Sequence, residues 1–280
     1  MNLTDKVSKA VIKASTVCPK NRLNAMKNAL NNETNENASW ALKLMIQNFE
    51  IAEKNKSPLC DDTGIPHIYI EQGKNLQIDN ELINEIKLGI AEGLNKLPGR
   101  PMAVKGNNIE RIEQSKGLYD MPSMVKSAPM ILDNINEENT RIHILLLGGG
   151  PEIRAKTYRI FHKHSYIEIL NEVTLWLKDS LPMLGCTPSI PCIGIGRTHF
   201  ESSSLMIKSM IYGNLNNQSK LEKMITSELN KTNIGPMGLG GDTTVLGSFI
   251  QIGNQRASGV RIVSVRPSCF VEPRIATITL

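Results

Sequence analysis

Aromatic residues are scarce in this chain of 280 residues, with five phenylalanines, five tyrosines and two tryptophans. Nucleic-acid surfaces usually combine a basic stripe with stacking aromatics. Here the lysines and arginines are spread without clustering, so no nucleic-acid partner is expected. The formal excess of five positive charges reads as a solvated surface with a few arginines available for an anionic substrate. No apolar run approaches the roughly 20 residues that span a bilayer, so no membrane association is expected. Met1 to Lys13 mixes charges with apolar positions and lacks the apolar stretch of a signal peptide. A cytoplasmic location is the expectation. An even, closely spaced cysteine framework is also missing. Cys18, Cys60, Cys186, Cys192 and Cys269 are odd in number and far apart, which argues against disulfides. Buried inert thiols, a nucleophile or metal ligands remain.

What is present is a regular alternation of helical and strand-like patterns, as in an ordinary globular protein. Thr4 is placed to cap a helix with Val7, Ala10, Val11 and Ala14 on one face. Leu42, Met45, Ile46 and Phe49 form a second apolar stripe. Asp79 is placed to cap a third helix, with Leu82, Ile83, Ile86, Ile90 and Leu94 at helical spacing and a stop near Pro98-Gly99. Strands are expected over 65–70, 142–147, 192–196, 245–252 and 260–265, and helices over 202–212 and 221–229. The run 142–147 opens into Gly148-Gly149-Gly150, a loop where backbone can approach a ligand closely. No internal repeat is found.

Three cysteines share a context. Cys60 precedes Asp-Asp-Thr-Gly, Cys186 sits in Gly-Cys-Thr-Pro, and Cys269 follows Arg-Pro-Ser. Each lies in a turn rich in small residues beside a strand, and such turns supply the free N–H groups that cluster sulfurs accept. Cys192, beside Ile193 in an apolar segment, fits a buried thiol instead. The spacing matches no compact ligand motif, so inert and ligating readings both stay open on pattern alone. The loop from Gly235 to Gly241 has two glycines at phosphate-loop spacing. However, Gly241 and Asp242 stand where that motif needs Lys and Ser or Thr, which weakens a nucleotide reading. The loop can still present N–H groups to a carboxylate or a cluster.

Gly235-Pro-Met-Gly-Leu-Gly-Gly-Asp-Thr-Thr-Val-Leu-Gly247 resembles the signature loop of the class I fumarate hydratase and tartrate dehydratase family. Cys60-Asp-Asp-Thr-Gly64 resembles that family's Cys-Gln-Asp-Thr-Gly, and Arg100-Pro-Met-Ala-Val104 resembles its Arg-Pro-Asn-Ala-Val. The triple glycine, Gly194-Ile-Gly196 and Ser268-Cys269 follow in the family's order, so the resemblance covers nearly the whole chain. It implies an alpha-type domain over 1–280, with two subdomains as an option. The fold expected is α+β, helix-rich, with a mixed sheet and cysteine-bearing loops converging on one site. It also implies a [4Fe–4S] cluster on Cys60, Cys186 and Cys269, and reversible addition of water to an unsaturated dicarboxylate. Fumarate to malate is the first choice and tartrate dehydration the second. By the same resemblance Asp62 is catalytic, orienting the reacting hydroxyl or a neighbouring group. Asp61, Arg100 and Gly149 contact substrate. A separate beta subunit and a homodimeric core are the expected partners.

The chain departs from the family pattern at several positions. Asp61 replaces glutamine, Met102 asparagine, Ala257 histidine and Asp242 lysine, and Phe270 follows the last cysteine in place of histidine or tryptophan. These changes spare the cysteines and alter the surroundings of a substrate. They keep alive a second reading, a diverged cluster-binding sensor or regulatory paralogue. A metal-free scaffold is a third.

Overall fold

The computed structural model describes residues 2–280; Met1, the first residue of the expected 1–280 domain, lies outside the described residues. In chain order the first half contains α1 (Leu3–Thr16), α2 (Lys20–Asn32), α3 (Glu36–Asn55), β1 (Ile65–Gln72), α4 (Asn80–Lys96), α5 (Asn108–Glu113), β2 (Ile131–Asn134) and β3 (Arg141–Leu147). The second half contains α6 (Gly149–Glu152), β4 (Lys156–Phe161), α7 (Tyr166–Ser180), β5 (Ile190–Gly196), α8 (His199–Tyr212), α9 (Lys220–Asn230), β6 (Phe249–Ile252), β7 (Val260–Ser268) and β8 (Arg274–Thr279). The fold is α+β. Its strands form two separate four-stranded mixed sheets rather than one, because alternation in a sequence locates strands without saying which of them pair. Among the described residues no helix is long and apolar enough to cross a membrane.

The chain divides into two compact units. The first takes the residues up to Cys18, then Phe49–Gly148 and Arg274–Leu280. Its sheet runs β2-β1-β3-β8, with β1–β2 parallel and the other pairs antiparallel. Period-2 alternation puts Ile68, Ile70, Ile142, Ile144, Leu146, Ala276 and Ile278 on one face. There they pack with Val7, Val11 and Ala14 of α1 and Ile86, Ile90 and Leu94 of α4. Each such fully buried branched side chain contributes roughly 1.5–3 kcal/mol before entropy is counted. Asp79 caps α4, accepting from the Leu82 N–H at 2.9 Å, and the helix ends before Leu97. In α1 the capping residue is Asn2, not Thr4: its side chain accepts from the Asp5 N–H at 2.8 Å. The register Ile65↔Leu147 and Leu146↔Arg274 brings the start of β1, the end of β3 and the start of β8 to one edge.

The second unit takes Pro19–Asn48 and Gly149–Pro273. Its sheet runs β4-β7-β5-β6, with β5–β6 parallel and the rest antiparallel. The strand expected over 245–252 is confined to Phe249–Ile252; Val245 makes only an isolated bridge with Ser189. The triple glycine does not open into an irregular loop, since Gly149 starts the single turn α6. Antiparallel pairing of Ile190 with Ser268 brings the residues just before β5 and just after β7 to the same sheet end. Cys186 and Cys269 are among them.

Candidate active site

In the first unit, the turn between α3 and β1 carries Cys60, Asp61 and Asp62. Arg274, buried at the start of β8, organises it. Its guanidinium donates to the carbonyl of Leu146 at 3.1 Å and to that of Asp62 at 2.6 Å. The Asp62 carboxylate accepts the Gly64 N–H at 2.9 Å. Gly64 has φ +79°, and a Cβ there would lie 2.5 Å from the Arg274 guanidinium. Only glycine meets both demands without strain. Thr63 is buried and donates to the Arg100 carbonyl at 3.1 Å, tying the arginine's backbone to this turn.

Arg100 and Asp61 form an ion pair at 3.5 Å, with side chains 61% and 80% exposed. Both were expected to meet substrate, and in this structure they face each other. A pair this exposed is worth at most about 1 kcal/mol, so an incoming carboxylate can compete for the guanidinium. Asp61 also lies 3.6 Å from the Cys60 sulfur. Burial pushes the Cys60 thiol above its ordinary value. The Asp62 N–H and the Arg274 charge act against that rise, and the Asp61 charge adds to it.

In the second unit, Cys186 and Cys269 share one support. The N–H of Phe270 donates to the Cys186 carbonyl at 3.2 Å. Thr187, buried beside Cys186, donates to the Gly235 carbonyl at 2.5 Å. Its own carbonyl accepts from the Met237 N–H at 2.9 Å, and its hydroxyl from the Gly238 N–H at 3.2 Å. The glycine-rich loop is therefore a buttress for the Cys186 turn. Gly235 has φ +69°, and a Cβ there would sit 1.6 Å from the Gly240 carbonyl oxygen. Asp242 accompanies Glu33, whose carboxylate accepts the Asp242 N–H at 3.0 Å.

The Cys269 turn is held from two sides. The backbone N–H groups of Val271 and Glu272 donate to its sulfur. Arg22 of α2, itself buried, donates to the carbonyl of Val271 and, at 2.5 Å, to that of Pro273. Burial pushes the Cys269 thiol up to about 12, and the charges of Glu272 and Cys186 add to the rise. Arg266, fully buried, pairs with Glu272 at 3.0 Å and with Glu152 of α6.

Among the described residues no three or more His, Cys, Asp and Glu side chains form a ready-made metal group. The donor chemistry nevertheless fits an iron–sulfur cluster. Cys60 and Cys269 accept backbone N–H groups at sulfur, as cluster thiolates do, and Cys186 shares the Cys269 support. Cys192 differs in kind. It lies within β5, fully buried, with its thiol donating to the Ile190 carbonyl at 3.3 Å and accepting from Ser268 at 3.6 Å. Cys18 is likewise buried, at the end of the segment after α1.

Gly149 begins α6 and is exposed. Thus Cys60, Asp61, Asp62 and Arg100 stand together in the first unit, and Cys186, Cys269 and Gly149 belong to the second. Sequence reading did not single out Arg274, Arg22 or Arg266, since a buried arginine and a surface arginine look alike in a sequence. The one available signal for Arg266 was its place in the Arg-Pro-Ser-Cys stretch.

The family model described as fumarate hydratase (fumerase) matches residues 4–279. A Methanocaldococcus jannaschii protein provisionally named L(+)-tartrate dehydratase subunit alpha is 28% identical, over 98% of this chain and 96% of its own length. The L(+)-tartrate dehydratase subunit alpha of Escherichia coli K12 is 23% identical, over 97% of this chain and 89% of its own.

Proposed function

This chain belongs to the fumarate hydratase family of hydro-lyases, and from that membership we propose that it is the alpha-type subunit of an iron–sulfur hydro-lyase acting on a small dicarboxylate. Cys60, Cys186 and Cys269 would hold a [4Fe–4S] cluster. When bound, the cluster supplies a Lewis-acidic iron lacking a protein thiolate, which assists departure of the hydroxyl. The observation that carries the reading is the shared support of Cys186 and Cys269. Two turns laced by the Phe270 N–H, one buttressed by the Gly235 loop and the other by Arg22, serve two thiolates better than two inert thiols.

Water addition across a double bond flanked by carboxylates requires charge stabilisation at one carboxylate and control of the hydroxyl at the neighbouring carbon. Arg100 clamps a substrate carboxylate and stabilises the charge that develops there, after exchanging Asp61 for substrate. Asp62, fixed through its own carboxylate and carbonyl, orients the reacting hydroxyl. Gly149, exposed at the start of α6, is a further proposed substrate contact, through its backbone. A separate beta subunit, as the relatives' designation "subunit alpha" suggests, completes the site with further carboxylate-binding groups and the base. Fumarate to malate is the first substrate choice. The relatives' names favour tartrate as the second.

The test is co-expression with the beta-type partner, anaerobic iron loading, and assay of fumarate hydration and L(+)-tartrate dehydration. Turnover of either supports the reading. An iron-loaded, partner-bound protein inert toward both contradicts it and leaves the sensor reading, which the substitutions at Asp61, Met102 and Ala257 favour.

A further inference from the structure

Arg266 is the largest fully buried side chain among the described residues, and ordinary solvation cannot account for a guanidinium there. A charge in that position persists only with carboxylate partners. Its Nε and Nη2 reach the two oxygens of Glu272 at 3.0 and 3.1 Å, a bidentate fork. Its remaining edge, Nη1, donates to Glu152. The two carboxylates differ. Glu272 is buried and follows Cys269 by three residues, and its N–H donates to both the carbonyl and the sulfur of that cysteine. Glu152 has a side chain 65% exposed and ends the single turn that Gly149 begins.

We propose that Arg266 is a positioning residue that couples the turn carrying Cys269 to the turn carrying Gly149, so that one guanidinium sets both a cluster ligand and a substrate-facing backbone. The coupling deepens the hydro-lyase reading and, as far as catalysis is concerned, rests on it. The planar fork fixes the direction of the third N–H once Glu272 is engaged, because all five donors lie in one plane. The position of α6 therefore follows that of the Cys269 turn. A turn as short as α6 has little helical stability of its own, so the Glu152 contact is a principal restraint on it. Replacing Arg266 or Glu272 would leave a buried charge alone and risk the fold. Glu152 is the place to cut the link, since its loss leaves no buried charge alone: Arg266 keeps Glu272.

The experiment compares the full metal-free chain as wild type, Glu152→Gln and Glu152→Asp by amide hydrogen exchange and by iodoacetamide alkylation of Cys269. Glu152→Gln is expected to speed exchange by about fivefold or more in both 149–155 and 269–273 and to raise Cys269 alkylation. Glu152→Asp should restore much of the protection. With the beta partner, Glu152→Gln should raise KM about tenfold while kcat stays within about twofold. Exchange changes confined to 149–155, with alkylation unaltered, would overturn the coupling and leave Arg266 a buried partner of Glu272 alone. If the coupling appears but wild type with its partner turns over no dicarboxylate, the hydro-lyase reading fails and the link between the two turns stands.

Discussion

Arg100 and Asp61 form an exposed ion pair, which on the proposed substrate role of Arg100 must open for substrate to enter. Asp61 adds negative charge beside the arginine meant for a carboxylate, and it also opposes ionisation of Cys60. Asp61→Gln removes both effects without removing bulk. The expected outcome is a fall in KM of about threefold with kcat little changed, in line with an exposed pair worth under about 1 kcal/mol; steady-state assays of the iron-loaded complex measure it. Gly64 is more tightly bound to its role. Ala at this position meets both the positive φ and the Arg274 guanidinium. Gly64→Ala should lower stability by about 2 kcal/mol, read from the denaturant midpoint, and loosen the Cys60 turn with it. The candidate site residues stood out in the sequence because each sits in a short motif of characteristic composition. The arginines that hold them did not. Arg22 and Arg274 earn their burial from carbonyls distant in sequence, and Arg266 from Glu272 six residues on and from the distant Glu152; no local pattern records such partners.

At the scale of elements, α4 and β1 were readable from periodicity, β3 from a continuous apolar run and β7 as a strand-like segment, and the Asp79 cap was placed correctly. Asp79→Ala should cost about 1 kcal/mol, visible as a lower denaturant midpoint. Helix α2 escaped notice because it has no continuous apolar stripe: its buried residues are Arg22 and Met26. Strand β6 was overextended because Val245 and Leu246 look strand-like, whereas their backbone serves the Ser189 segment instead. The face of the first unit's sheet opposite α1 and α4 carries a polar network that alternation could not reveal. His143 bonds Glu71 at 3.1 Å and Thr277 at 2.9 Å, and Arg141 joins Glu71 at 2.8 Å. Burial lowers the His143 pKa from its ordinary 6.5, with Glu71 opposing the fall and Arg141 adding to it. Below pH 6.5 the unfolded chain therefore binds a proton that the native imidazole resists, and stability falls as pH falls. The midpoint of thermal unfolding should drop between pH 7.5 and 5.5, and the drop should shrink in His143→Gln. An unchanged slope would show that this histidine does not govern the pH response.

At the scale of the molecule, one of the three proposed cluster ligands belongs to the first unit and two to the second. All three were proposed from the sequence, on their turn-rich contexts and their likeness to a known family. The division of the chain was not visible, since each unit is assembled from separated segments and no linker composition marks the boundaries. On the proposal, Cys60, Cys186 and Cys269 bind a cluster in the native chain. Its binding free energy then adds to native stability, and its uptake releases thiol protons. Cys18 and Cys192, both buried, are proposed as non-ligands.

The most direct test is anaerobic reconstitution with iron and sulfide of the wild type and of five single cysteine-to-serine variants, with iron, sulfide and visible absorbance quantified. About four irons per chain are expected in wild type, Cys18→Ser and Cys192→Ser, with loss or degradation of the cluster in Cys60→Ser, Cys186→Ser and Cys269→Ser. A wild type that takes up no cluster, or a Cys192→Ser protein that loses it, would contradict the account.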